Sequence, residues 1–120
     1  MGVDRTDYIV FGFKMSPELL KSKNISIDDD KYLPYIEGHK GEQDTIVYDY
    51  MMGKYVVFGK LINQSWDYEE GKFTTISYQD FFDDEETKRV TDKFIELFGQ
   101  DVLDELEDDE PQMFVFSHYS

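Results

Sequence analysis

The sequence predicts an α+β domain: a mostly antiparallel sheet of four or five strands, with one long helix of the C-terminal half and several short helices packed on it. Three observations lead to this prediction. The length of 120 residues fits one domain spanning residues 1–120. Residues 45–62 hold two strand-like apolar runs around a glycine turn. Residues 84–98 repeat their apolar side chains with the helical period.

The N-terminal third is predicted to hold one strand and two helical turns. Residues 6–14 place apolar side chains on both faces of a strand. Ser16 is a suitable cap, and Pro17 a suitable first residue, for a short helix. The three aspartates at residues 28–30 precede a second helical turn, which Pro34 keeps short.

The central hairpin is the segment around which the sheet is predicted to form. Its strands cover residues 45–49 and 55–62, and Gly53 provides the positive φ that a tight turn requires. The second strand is apolar on both faces, which is typical of a central strand that is covered on both sides. One face carries Tyr55, Val57 and Leu61, and the other carries Val56, Phe58 and Ile62.

Another strand and the long helix are predicted to follow the hairpin. Residues 72–78 alternate well enough to form a strand. Asp83 or Asp84 then caps a helix of about four turns, and Gly99 stops it. The inward stripe of this helix consists of Val90, Phe94, Leu97 and Phe98.

The chain is predicted to end in a short helix and a strand. Asp101 caps the helix, Pro111 closes it, and residues 112–119 form the strand. Because several strands are apolar on both faces, the second face of the sheet must be covered as well. Segment 16–36 and another subunit are the two alternatives for that cover.

Composition excludes several classes of protein. The chain has no cysteine, so disulfides, thiolate metal sites and cysteine nucleophiles are excluded. No run of 18 apolar residues exists, and charged residues precede the first apolar run, so we expect neither a membrane span nor a signal peptide. A cytoplasmic protein that does not bind membranes is therefore predicted.

Negative charge is concentrated in the second half of the chain. Residues 1–66 hold 10 acids and 8 bases, a balance of −2, whereas residues 67–120 hold 17 acids and 4 bases, a balance of −13. A field of this sign repels nucleic acid and attracts basic protein surfaces. The simplest explanation is solubility, but the high aromatic content also suits a protein interface.

Two dense acidic runs are the candidate partner-binding residues. On a helix, neighbours at i+3 and i+4 lie about 5–6 Å apart, close to the advance of about 3.4 Å per phosphate along a nucleic-acid strand. Carboxylates arranged in this way would imitate a phosphate row. The alternative is a solvated helix surface without a partner. The candidate residues are Asp80, Asp83, Asp84, Glu85 and Glu86 in the first run, and Asp101, Asp104, Glu105, Glu107, Asp108, Asp109 and Glu110 in the second.

Other motifs do not meet the requirements of catalysis or of cofactor binding. Residues 28–39 lack the glycine and the final glutamate of a calcium-binding EF-hand loop. His39 and His118 show no metal-ligand spacing. The loop at residues 38–41 is short and basic but lacks the strand–turn–helix context of a phosphate-binding loop. We therefore expect no catalytic residues, no metal and no cofactor.

Two segments carry a resemblance to a known group of proteins. Residues 30–39, D-K-Y-L-P-Y-I-E-G-H, and the hairpin ending in Y-V-V-F-G-K-L resemble small uncharacterised accessory proteins of tailed bacteriophages, over roughly residues 6–62. The resemblance implies a protein that acts on host factors in the host cytoplasm. Several phage inhibitors of restriction, repair or CRISPR enzymes are small, acidic and similar to nucleic acid in charge.

Charge and resemblance together predict a non-enzymatic inhibitor of a host nucleic-acid-binding protein. Its partner would be a basic surface of that protein, without direct binding of nucleic acid, and a homodimer is one option. The alternative is an oligomeric protein that binds a small ligand such as a nucleotide signal, with His39, Lys40 and tyrosines at a subunit interface. An enzyme that uses paired carboxylates is the third hypothesis, and no spacing supports it.

Overall fold

The computed structural model describes residues 5–36, 43–50, 52–66 and 83–119. Within them, four antiparallel strands form one sheet in the order β2-β3-β1-β4, and helices pack on it, so the predicted α+β class is confirmed. The strands are β1 (Arg5–Met15), β2 (Asp44–Tyr48), β3 (Val56–Trp66) and β4 (Gln112–Tyr119). The helices are α1 (Pro17–Ser22), a 3-10 helix (Asp30–Tyr35), α2 (Asp84–Phe98) and α3 (Gln100–Asp104).

The hairpin of β2 and β3 lies at one side of the sheet, and β3 is central as predicted. Gly53, at φ 65°, provides the left-handed residue of the turn. On its other side β3 pairs with β1, and Gly12 lies directly opposite Gly59. Each of these glycines is pressed against the backbone of the other strand, because an ideal Cβ on Gly12 would lie 2.0 Å from the carbonyl oxygen of Phe58.

Helix α2 covers the first face of the sheet. Its predicted stripe of Val90, Phe94, Leu97 and Phe98 is buried, as its period of 3.6 requires. Phe94 is the centre of an aromatic cluster, with its ring centroid 4.6 Å from that of Phe13 and 5.1 Å from that of Phe98. Aromatic side chains bury large apolar areas, so this cluster stabilises the contact between helix and sheet.

The segment after β1 packs on this same face. Ser16 caps α1 by accepting a hydrogen bond from the backbone N–H of Leu19, as predicted. Leu20, Ile27 and Tyr32 all belong to the core cluster that contains α2. Segment 16–36 is therefore excluded as the cover of the second face.

The second face of the sheet has a smaller core of its own. Tyr8, Val10, Val47 and Val57 are buried there, and Phe116 stacks on Tyr8 with ring centroids 5.5 Å apart. These side chains are buried within a single chain. Burying them therefore does not require a second subunit.

The C-terminal part differs from the prediction at one helix. Helix α3 begins at Gln100 and ends at Asp104, so Asp101 lies in its first turn and does not cap it. Pro111 lies well beyond its end, and residues 105–110 are not helical. The density of negative charge explains why α3 ends early, because seven acids in ten residues repel one another on a helix. The strand predicted at residues 72–78 lies outside the described residues.

Tyr32 fixes the C-terminal end of α2 to the 3-10 helix. Its buried hydroxyl donates a hydrogen bond of 2.8 Å to the carbonyl oxygen of Leu97, one of the last four carbonyls that lack a partner within a helix. We expect Tyr32→Phe to lower the free energy of unfolding by about 1.5 kcal/mol, because a buried carbonyl loses its donor. Urea unfolding measures this. Tyr48→Phe is the control, and an equal loss in both variants would contradict the assignment.

Candidate functional site

The first acidic run lies at the N-terminal end of α2. Asp80 lies outside the described residues. Asp83 caps the helix by accepting a hydrogen bond of 2.9 Å from the backbone N–H of Glu85. Asp84 and Glu85 are exposed in the first turn, where carboxylates interact favourably with the helix dipole. Of this run, these two side chains are the ones presented to solvent without a described partner.

Glu86 belongs to an ion-pair network that joins α2 to the sheet. It accepts a hydrogen bond of 2.7 Å from Nε of Arg89, and it lies 3.6 Å from the ammonium group of Lys60 on β3. Arg89 also donates two hydrogen bonds, of 2.8 and 2.9 Å, to the two carboxylate oxygens of buried Asp44. The bonds to Asp44, followed by those to Glu86, raise the pKa of Arg89 against the opposing effect of burial. Glu86 thus has a structural role, which its place in an acidic run does not indicate.

The second acidic run, which we call the C-terminal acidic segment, consists of the seven acids between residues 101 and 110. Every one of its carboxylates is exposed. Asp104 accepts a hydrogen bond of 2.9 Å from the side chain of Gln100, and Glu105 lies 3.5 Å from Lys23. Within the described ranges, no ion pair joins a cation to the remaining members. These are Asp101, Glu107, Asp108, Asp109 and Glu110.

The two runs do not form one continuous helical row. They lie at opposite ends of α2, whose 15 residues span about 22 Å. Between them, Lys88 pairs with Asp92 and Lys93 pairs with Glu96, so the middle of the helix is locally neutral. Because residues 105–110 lie beyond α3, the helical spacing of carboxylates predicted for them is wrong. The acids are therefore arranged as two separate patches.

A groove of about 580 Å³ runs beside the C-terminal acidic segment. Its wall includes Glu105, Glu107, Asp108 and Glu110, and its apolar lining includes Leu19, Leu106 and Phe114. The groove lies where β1 extends past β4, because Gly12 pairs with Gln112 and the last three residues of β1 have no partner on β4. Lys14 and Lys54 also line it, and neither forms an ion pair with an acid in the mapped parts of the chain.

The lining of the groove combines apolar side chains with charged ones. Its lining contains no histidine and no cysteine, and the described residues hold no group of acids or histidines arranged to bind a metal ion. An apolar floor beside a charged wall is typical of a protein interface, in which an apolar centre is bordered by polar groups. Sequence reasoning missed this groove because residues 12–19 and residues 105–114 are distant in the chain.

The histidine and the tyrosines that the structure describes lie in different parts of the fold. His118 is buried, and its Nδ1 lies 2.8 Å from the hydroxyl oxygen of Tyr55, so it belongs to the core of the second face. Tyr32 is buried in the first core, whereas Tyr50 is exposed beside the hairpin turn. His39 and Lys40, on which the small-ligand alternative depends, lie outside the described residues.

No helix in the part of the chain that is described is long and apolar enough to cross a membrane. Comparisons with protein-family models, with curated proteins and with solved structures found no match. The function is therefore inferred from the surface of this chain itself, and its most distinctive feature is the C-terminal acidic segment beside an apolar groove.

Proposed function

We propose that the chain is a non-enzymatic binding protein that occupies the positively charged nucleic-acid groove of another protein. The two acidic patches take the place of phosphates, and the partner is a host protein of defence or DNA processing, as the resemblance to phage accessory proteins implies. The protein then acts in the host cytoplasm. It needs no cofactor, because its contribution is charge and shape.

The observation that supports this proposal is the row of four consecutive acids at residues 107–110. All four are exposed, and none forms an ion pair with a cation in the described ranges. Like charges at this density raise the energy of the free protein. A basic groove would relieve that repulsion and would release the counterions of both surfaces, which is also how such a groove binds nucleic acid.

Helix α2 separates the first patch from the start of the C-terminal acidic segment, and its length fits the same partner. About 22 Å along α2 corresponds to roughly six or seven nucleotide steps of 3.4 Å. Asp84 and Glu85 can therefore contact one part of a nucleic-acid groove while residues 107–110 contact another. Asp83 and Glu86 support the first patch as helix cap and sheet anchor, and they do not contact the partner in this proposal.

The small-ligand alternative depends on His39 and Lys40, which lie outside the described residues, and the groove does not favour it as a second site. A nucleotide requires cations around its phosphates, and the cations that line the groove are Lys14 and Lys54. Four carboxylates line the same groove, and these repel an anionic ligand. A positively charged peptide side chain fits this lining better than a phosphate does.

Neutralising the four-acid row is expected to weaken partner binding at least about tenfold, or about 1.4 kcal/mol. The variant Glu107→Gln, Asp108→Asn, Asp109→Asn and Glu110→Gln keeps the side-chain shapes and removes the charge. A partner captured from host lysate on immobilised wild-type protein is identified by mass spectrometry, and its dissociation constant is then measured at increasing salt. Binding should fall steeply with salt, and the variant should show a shallower dependence.

A matched variant controls for net charge. Glu18→Gln, Asp28→Asn, Asp29→Asn and Asp30→Asn removes four exposed acids from the other part of the chain. It should bind as the wild type does, and added DNA or RNA should displace the partner from the wild type. A partner that binds both variants equally, or that nucleic acid does not displace, would contradict the proposal.

A further inference from the structure

Among the strands that the structure describes, β4 lies at the edge of the sheet, and its sequence lacks the features that usually protect an edge. It pairs with β1 on one side and is the last strand of the four-stranded order. Every second residue of an edge strand directs its backbone N–H and C=O away from the sheet. Natural edges are usually blocked by charged residues, proline or bulges. In contrast, Q-M-F-V-F-S-H-Y contains no charged residue other than histidine and no proline, and its register with β1 is unbroken.

Two large apolar side chains are exposed on this strand. Val115 is 74% exposed and Tyr119 is 50% exposed. Among the large apolar side chains of the described residues, Val115 has the highest exposed fraction. The two residues are four apart, so they lie on the same face of the strand. Among the described strands, none pairs with the outer side of β4, and an apolar pair lies beside that side.

We propose that β4 pairs with β4 of a second copy of this chain, antiparallel and about a two-fold axis at Ser117. In this register Val115 of each copy lies opposite Tyr119 of the other, so each exposed apolar side chain covers the other. Pairs of an aromatic with a β-branched residue stabilise antiparallel strands. The described strands of the two copies then form one sheet of eight strands. The same surface serves both partners, as two-fold symmetry requires.

The second copy fits because the antiparallel arrangement separates the acidic segments. Glu110 and Ser117 are seven residues apart, about 24 Å along a strand. The two acidic segments thus lie at opposite ends of the paired strands, about 48 Å apart, whereas the Debye length at physiological salt is about 8 Å. Asp7 accepts a hydrogen bond of 2.6 Å from Ser117. The Asp7 residues of the two copies would be separated by three strand spacings, about 14 Å.

This interface does not depend on the proposed function. It uses residues 115–119 and leaves residues 107–110 of both copies exposed. A dimer would present two acidic segments at once, which raises the effective concentration of the second after the first has bound.

Sedimentation velocity across a range of protein concentrations tests the dimer. The wild type should show a concentration-dependent dimer, and Val115→Lys should raise its dissociation constant at least about tenfold, because it places a charge at the edge. Leu33→Lys is the matched control, since Leu33 is an exposed apolar residue, at 53%, away from this edge. Circular dichroism should show that both variants remain folded. A monomeric wild type, or equal effects of both variants, would overturn the proposal.

Cross-linking tests the register. The chain has no cysteine, so a single introduced cysteine can form a disulfide only with a second copy. Ser117→Cys places the two thiols opposite each other, within the range that a disulfide spans, and under mild oxidation it should form a covalent dimer at least about tenfold faster than Gln112→Cys. Equal rates, or faster cross-linking at position 112, would overturn the proposed pairing.

Discussion

Gly12→Ala is expected to lower the free energy of unfolding by about 3 kcal/mol, the upper end of the typical range for overpacked interiors. An added Cβ would lie 2.0 Å from the carbonyl oxygen of Phe58 and 2.5 Å from Cα of Gly59. Both atoms belong to the backbone of β3, so no side-chain rotation can relieve the clash. The strands must move apart where β1 and β3 pair at the centre of the sheet.

The neighbouring glycine allows the same prediction to be checked independently. Gly59→Ala should cost a similar amount, because its Cβ would lie 2.2 Å from the carbonyl oxygen of Phe11. Urea unfolding monitored by circular dichroism measures both losses. Gly53→Ala is the control, because nothing lies within 4 Å of its Cβ position and only the positive φ opposes the substitution, at about 1–2 kcal/mol. Equal losses at all three positions would show that the close approach of the strands is not the cause.

Asp44→Asn is expected to lower the free energy of unfolding by about 2–3 kcal/mol, somewhat less than for a fully buried pair. The side chain of Asp44 is 4% exposed and accepts both hydrogen bonds of the Arg89 guanidinium, whose side chain is 28% exposed. An asparagine keeps the shape but loses the charge and one acceptor. Arg89 is then left beside a sheet edge with Glu86 as its remaining carboxylate.

An exposed ion pair provides the comparison for Asp44. Lys88 and Asp92 lie 2.9 Å apart on α2, with side chains 80% and 60% exposed. Asp92→Asn should change stability by less than about 0.5 kcal/mol, as exposed pairs do. Thermal and urea unfolding of both variants give the difference. If the two substitutions had equal effects, the network between α2 and β2 would not be what positions the helix.

The pH dependence of the stability that the Asp44–Arg89–Glu86 network contributes follows from the pKa of Arg89. Because its partners raise the pKa of Arg89 above the ordinary value, the folded state favours the charged guanidinium. A group whose pKa is raised by folding contributes its stability at every pH below its ordinary pKa and loses it only above that pH. The contribution of Arg89 should therefore stay constant as the pH rises from neutral to moderately alkaline values.

Local patterns in the sequence were sufficient to predict most of the described helices and strands. Ser16 and Pro17 begin α1, Asp83 caps α2, and Gly53 forms the turn as expected. These features depend on neighbours within about four residues, because caps, turns and amphipathic stripes satisfy their own backbone or one adjacent surface. The alternation along β3 likewise placed Val56 and Val57 on opposite faces of the sheet.

The candidate site was less accessible to sequence reasoning. The acidic composition located the exposed C-terminal acidic segment, but it also included Glu86, which the fold uses to hold Arg89 and Lys60. The groove and the exposed edge of β4 depend on which strand ends where, and the pairing of Gly12 with Gln112 decides that. A charge count contains no information about such pairings.

From composition and period alone one obtains the α+β class, the central hairpin, the amphipathic helix α2 and the location of the negative charge along the chain. Strand order, the face that segment 16–36 covers, and the division of the acids between structural and exposed roles emerge only in the folded molecule. The physical reason is distance along the chain. Period and capping act between near neighbours, whereas a contact such as that of Arg89 with Asp44 joins residues that only the assembled sheet brings together.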